Sequence, residues 1–273
     1  SQCVAVSAMG DTIEIEAGFY LETVVLDKAL TLIGGQGSTN TTVTGPDSDF
    51  DVMTVLVDGI NISGLTIDGG LYGLAIASSV TQVQLSDCVL AETGSFQLQL
   101  PPALVNEAVS AVTLVPHASG QLDAVLVHTG ALTTSTSWHT LPGDMVYYRA
   151  NSTVTVGGDI SPVLTIASGV VIKNWRSNII IGPTAGSPGG LMADNVIFTS
   201  IHDGAMGGDT SGNSVVPAHS DWYDIQFQAG AIEGSCQLNN CDIRYGGRFN
   251  HAVWARSGGS FSATNCDFMA NTK

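Results

Sequence analysis

Apolar residues recur along this chain in pairs separated by one polar residue, and the pairs come in twos with a break of phase between them. "INISGLTI" supplies Ile60 and Ile62, then Leu65 and Ile67, and "VQLSDCVL" supplies Val83 and Leu85, then Cys88 and Leu90. "LMADNVIF" repeats the arrangement with Leu191, Ala193, Val196 and Phe198, and "CQLNNCDI" with Cys236, Leu238, Cys241 and Ile243. "FSATNCDF" gives Phe261, Ala263, Cys266 and Phe268. Numbered from the third apolar residue, the template is apolar at −5, −3, 0 and +2. Alternation with period 2 predicts strand, because successive side chains leave opposite faces. The phase break predicts a bend between two short strands. At −1 stand Gly64, Asp87, Asn195, Asn240 and Asn265, types that accept left-handed backbone at little cost.

The spacing sets the architecture. Position 0 advances 23 residues from Leu65 to Cys88 and 25 from Cys241 to Cys266; the step from Val196 to Cys241 is 45, near two such advances. A repeat of this length made of short strands signals stacked coils. The expected fold is all-β: a right-handed parallel β-helix, or solenoid, with coils of about 23–25 residues about 4.8 Å apart. Cysteine then fills an inward slot that Leu65 and Val196 fill elsewhere, as a small apolar core residue. All five slot residues are expected to be buried. Cys241 and Cys266 are expected to stack with Cβ atoms about 4.8 Å apart, beyond the usual disulfide range of about 3.5–4.5 Å, which favours free thiols. A hydroxyl at 241 would lack an assured partner and cost about 1–3 kcal/mol. Cys3 has no place in the scheme, and five cysteines without CxxC or paired histidines argue against zinc.

Two longer runs carry a family resemblance. "GDTIEIEAGFYLETVVLDKALTLIGGQGSTNTTVTG" resembles the opening coils of the pectin-lyase-like right-handed β-helix superfamily. "SWHTLPGDMVYYRANSTVTVGGDISPVLTIASGVVIKNW", continued by "NVIFTSIHDGAMGGDTSGNSVVPAHSDWYDIQF", resembles β-helical segments of large bacterial and archaeal surface proteins. The resemblance implies β-helical segments at 1–92 and 134–273. It leaves 93–133 as an irregular seam or small β insertion, marked by Pro101 and Pro102. It specifies fold, not activity, because this fold hosts lyases, esterases, hydrolases, adhesins and scaffolds.

Composition narrows the partners. Eight Lys and Arg stand against 24 Asp and Glu, for a formal net charge of −16. Such a surface repels phosphate backbones and anionic lipid, which excludes nucleic-acid and membrane-surface binding and weighs against acidic polysaccharide. No apolar run reaches the ~18 residues of a membrane span. The opening "SQCVAV" lacks Met and a signal-like pattern, which is read as a mature or trimmed product. Low Lys and high Thr content suit a secreted or surface protein. Asn40, Asn61 and Asn151 lie in glycosylation triplets, which also arise by chance in so Thr- and Ser-rich a chain.

Candidate chemistry is sparse. Enzymes of the superfamily place carboxylates and basic residues on an exposed sheet. The chain has no Arg-x-Pro-x-x-Arg run, and "DWYD" at 221–224 lacks the histidine of the lyases' Trp-x-Asp-His motif. "YGGRFN" around Arg248 departs from the pectinesterase Leu-Gly-Arg-Pro-Trp context, and the polygalacturonase Asn-Thr-Asp-Gly and Gly-His-Gly stretches are missing. Arg244, Tyr245, Arg248, His251, Trp254 and Arg256 bring three of the eight basic residues together with two aromatics, a pattern suited to a sugar-binding face or to an ordinary solvated bend. The loop "DGAMGGDTSGN" offers Asp203 and Asp209 to calcium, since hard cations take oxygen ligands and Gly permits tight turns; the alternative is a plain acidic loop. Asp47, Asp49 and Asp51 alternate on one strand face as a weaker candidate. The histidines at 117, 128, 139, 202, 219 and 251 show no ligand spacing.

The leading expectation is a non-catalytic extracellular structural or adhesive β-helix. The alternatives are a carbohydrate-active enzyme of the polysaccharide-lyase kind, or a glycan-binding module, on the same fold. "CVAVSAM" is read as too short for a capping helix, and the last coil is not closed at "NCDFMANTK". Unpaired strand edges then predict either end-to-end association into filaments or a chain that continues beyond Lys273.

Overall fold

The computed structural model describes residues 2–91, 93–116 and 123–272. The chain divides into two compact units, 1–126 with 142–145 and 127–141 with 146–273. His117 lies outside the described residues. Each unit is a stack of parallel coils, the β-helix that the alternation and the repeat predict.

In the first unit, Thr12–Ile15, Thr31–Gly34, Ile60–Ser63 and Val83–Ser86 form one parallel ladder. Gly18–Leu21, Thr41–Thr44, Thr66–Asp68, Cys88–Leu90 and Val112–Leu114 form a second. The strands Val24–Leu26, Met53–Val55, Leu74–Ile76 and Leu98–Leu100 pair in the same parallel way. The template's −5 and −3 residues lie in the first ladder and its +2 residues in the second, with Cys88 opening its strand there and Leu65 standing just before its own. Inward columns of Leu, Ile and Val fill the centre, and Ile60, Leu65, Ile67 and Leu90 are fully buried. Within 93–116, Leu98–Leu100 pairs with Leu74–Ile76 and Val112–Leu114 with Cys88–Leu90, with a helix at Val105–Ala111 between them. The expectation at the N-terminal segment is corrected. It forms a five-residue helix, Gln2–Val6, which buries Val4, and Lys28 Nζ donates to the Ser7 carbonyl at 2.9 Å just beyond it.

In the second unit one ladder comprises Gly130–Leu132, Thr153–Val156, Asn178–Ile181, Asp224–Phe227 and Val253–Ala255. Another comprises Thr136–Trp138, Val163–Ile166, Gly189–Asp194, Ala231–Asn239 and Ser262–Thr264. Val146–Ala150, Val171–Trp175, Ile197–Ser200, Asp242–Arg244 and Asp267–Met269 also stack in parallel. The bend residues behave as their chemistry requires: Asp87, Asn195, Asn240 and Asn265 have φ of 48°, 54°, 53° and 53°, and Gly64 has 69°.

Two sequence expectations change. Ile197 pairs directly with Asp242, so the 45-residue advance is one coil, not two. The surplus is a long excursion at 201–223. Leu65, Cys88, Val196 and Cys241 are buried, but Cys266 is only half-buried, because within the described residues no coil packs on its outer side. All five thiols are free, and Cys3 is exposed. Cys241 Sγ lies 3.2 Å from the Asn239 carbonyl and 3.5 Å from that of Ala193, so a serine there has acceptors. Cys241→Ser is therefore expected to cost about 1 kcal/mol, the low end of the range for a buried hydroxyl. Burial pushes the Cys241 thiol up to about 11. Native-state alkylation should label Cys3 at once and Cys88, Cys236 and Cys241 only on unfolding, since the thiolate is the reactive form.

Candidate functional site

The second unit concentrates the polar interior of the protein. Strand parity puts Tyr148, Lys173, Thr199 and Arg244 in one outward column, because their neighbours Tyr147, Ile172, Phe198 and Ile243 point inward and are buried. Lys173 and Thr199 are nevertheless inaccessible to solvent, because the 201–220 excursion folds over them. Positive φ at Gly207, Gly208 and Gly212, of 64°, 70° and 64°, lets the loop make its successive turns.

The loop is pinned by charge. Lys173 Nζ donates to the Gly208 carbonyl. Burial lowers the Lys173 ammonium to about 8, while Asp203 and Asp209 act in the opposite sense. Asp203 accepts from Thr199 Oγ1 at 2.6 Å, and Arg244 Nη1 approaches its Oδ2 at 3.9 Å. Asp242 pairs with Arg244 Nη2 and holds that guanidinium above its ordinary value. Asp209 collects the Ser211 hydroxyl and the amides of Ser211, Gly212 and Ser214, which keep its carboxyl below the usual range. Asp221 takes the Ser200 hydroxyl at 2.5 Å and the Ala218 amide at 3.0 Å. Asp203 and Asp209 thus both lie within the field of an ammonium supplied by the chain, and a metal ion there would compete with Lys173. Among the described residues no three His, Cys, Asp or Glu side chains are grouped to hold a metal ion.

A second polar cluster lies on the outer face of Asp224–Phe227 and Val253–Ala255. Asp224 is buried, at 4% exposure, and among the described residues its carboxylate accepts from Gln226 Nε2, at 2.9 and 3.1 Å, and from Trp254 Nε1 at 3.1 Å. Burial raises its pKa against these bonds and the charge of Arg256. Arg256 stacks over Trp254, 5.1 Å from the ring centroid, and the His251 ring lies 6.1 Å away on the same indole. Phe249 stacks on Tyr223 at 4.9 Å.

The sequence-predicted residues therefore separate. Arg244 belongs to the column under the loop. Tyr245 occupies a left-handed bend at φ 62° and lines a shallow groove with Pro217 and His219. Arg248 is exposed and reaches the Ser220 carbonyl at 3.4 Å, while His251, Trp254 and Arg256 share the other face. Asn40 and Asn151 are exposed, and Asn61 faces outward from its strand, donating to Thr31 Oγ1 at 3.2 Å. Asp49 turns its amide to Asp47 in an exposed loop, and burial raises the Asp51 carboxyl. Sequence reading missed Lys173, Asp221, Asp224 and the fully buried Arg149, whose guanidinium donates to Asn174 Oδ1 and to the Asn178 and Ser152 carbonyls inside the coil stack. Parity was the available signal for Arg149, because it shares a face with the inward Tyr147.

No family model matches the chain, and no curated protein is similar to it. Solved structures similar to it include the pectin methylesterase of Yersinia enterocolitica, at 11% identity over 98% of this chain and 89% of that one, with a TM-score of 0.26. They also include the deglycosylated pectin methylesterase of Aspergillus niger, at 12% identity over 97% and 79%, with a TM-score of 0.21. Similarity of this order carries no argument about activity; the fold stands on the coil register.

Proposed function

We propose that this chain is a non-catalytic β-helix of the secreted, surface-exposed kind, acting as a structural or adhesive element. One observation supports it above others: Lys173 and four carboxylates of the second unit are engaged by the chain itself. Lys173 is covered by its own loop, and Asp203, Asp209, Asp221 and Asp224 are all filled by internal donors. Catalytic groups need a reacting atom within hydrogen-bond reach, and these are turned to one another. The acidic, Lys-poor composition fits a secreted chain, and among the described residues no helix is long and apolar enough to cross a membrane.

The rival reading, a carbohydrate-active enzyme on the same fold, rests on Arg244 lying between Asp203 and Asp242 on an outer face. Product assays on pectin, polygalacturonate and neutral glycans, with and without calcium, separate the two. The proposal expects no product above the blank. Product that disappears in Asp242→Asn, with the fold intact, would establish the enzyme instead.

A further inference from the structure

Coil stacking in the second unit brings two thiols together. Asn239 pairs with Thr264 and Asp242 with Asp267, so the bends between them are in register and Cys241 stands opposite Cys266. Asn240 and Asn265 turn those bends with the same φ of 53°. The two side chains also take the same direction. Cys241 Sγ lies 3.5 Å from the Ala193 carbonyl and 3.2 Å from that of Asn239. Cys266 Sγ lies 3.2 Å from the Leu238 carbonyl and 3.5 Å from that of Thr264. Ala193 and Leu238 are themselves register partners, so the sulfurs are related by one coil step of about 4.8 Å. The Cys241 thiol is in hydrogen-bonding contact with the Cys266 thiol. Cys236 stands opposite Leu191, and Cys88 opposite Val112. Cys241 and Cys266 therefore form the one stack of thiols among the described residues.

We propose that Cys241 and Cys266 together bind one soft metal ion of the Cu(I) kind, held between their sulfurs. A coil step is long for a disulfide, whose Cβ atoms sit about 3.5–4.5 Å apart. It suits a metal bridge: two metal–thiolate bonds of about 2.3 Å, laid end to end, span about 4.6 Å. Two sulfurs are what the site supplies, since among the described residues no three His, Cys, Asp or Glu side chains are grouped to hold a metal ion. Zinc asks for four ligands in a tetrahedron and calcium for six or more oxygens, so neither is satisfied here. Thiolates select soft ions, and Cu(I) is complete with two of them in a line. Each thiol gives up its proton on binding, so Cu(I) with two thiolates leaves a single negative charge at the site. Cys241 is buried and Cys266 half-buried, so the ion enters past Cys266. The site does not depend on whether the scaffold is adhesive.

The test uses the full chain carrying Cys3→Ser, which removes the exposed thiol. The reduced protein is titrated anaerobically at neutral pH with Cu(I) against a chelator of known affinity. Uptake is followed by the ultraviolet thiolate-to-copper band and by proton release. One ion should bind per chain and release close to two protons. Cys241→Ala and Cys266→Ala should each weaken binding about a hundredfold or more, because the ion then keeps one sulfur of two. Cys236→Ala removes a buried thiol of the same unit and should leave binding unchanged, which separates loss of the site from loss of the fold. Zn(II) and Ca(II) in excess should not compete. Absence of Cu(I) uptake, displacement by Zn(II), release of one proton only, or equal loss in Cys236→Ala would overturn the site and leave the scaffold reading standing. So would binding that survives either Cys241→Ala or Cys266→Ala.

Discussion

Gly182→Ala is expected to destabilise the second unit by about 3–5 kcal/mol, combining backbone overlap with a left-handed residue that gains a Cβ. Gly182 has φ +57°, and a Cβ built on it would lie 2.0 Å from the Gly230 carbonyl carbon and 2.2 Å from the Ala231 nitrogen. Those atoms belong to the turn of the next coil, which is tied back by the Gly230 amide to the Gly182 carbonyl at 3.0 Å. No flexible side chain stands in the way, so two coils must part for the methyl to fit. Gly186→Ala is the internal control: its Cβ meets nothing within 4 Å, and its effect should stay within about 0.5 kcal/mol. Urea unfolding of the two variants checks the pair. Equal midpoints would mean that the coils do not approach at this turn.

Lys173→Ala is the second large effect, expected to cost about 2–4 kcal/mol, because it deletes a buried four-carbon stem and leaves the Gly208 carbonyl without its donor. Lys173→Met, which keeps the stem, should cost less. The same residue fixes a pH dependence. Its ammonium is lowered by burial to about 8 in the folded protein, against an ordinary 10.5 when unfolded. Below about 8 both states are charged and the burial penalty is fully present. Between these values the unfolded chain binds more protons, so this group makes stability rise with pH, and above 10.5 the dependence ends. The difference in unfolding free energy between wild type and Lys173→Met, followed from pH 7 to 10, should show that rise in the wild type alone. With an ammonium already beside Asp203 and Asp209, EDTA is expected to leave the wild-type midpoint unchanged. A fall on chelation, reversed by calcium, would assign the loop to a metal.

Much of the fold was legible because a β-helix repeats its constraints. Asp87, Asn195, Asn240 and Asn265 announced left-handed bends, and the apolar pairs beside them announced the strands. Length was less informative: the 45 residues between Val196 and Cys241 match two coils numerically, and only the pairing of Ile197 with Asp242 shows one coil with an excursion. The loop's Asp and Gly content was visible, but the cation facing it was not, since Lys173 lies 30 residues before Asp203 and meets it only through coil stacking. The run from Arg244 to Arg256 looked like one surface because its residues are close in sequence. It crosses a corner between two ladders, so Arg244 goes with Asp203, while Trp254 and Arg256 go with Asp224.

Amide hydrogen exchange across 203–214 tests most directly whether the charged groups of the outer face hold this loop instead of serving a substrate. The amides of Asp203, Met206, Ser211 and Gly212 all have acceptors within the loop or its anchoring strand. Protection at pH 7 well above that of an unstructured peptide, lost in Lys173→Ala while the flanking strands stay protected, is the predicted result. Exchange of these amides at unstructured rates in the wild type would contradict it.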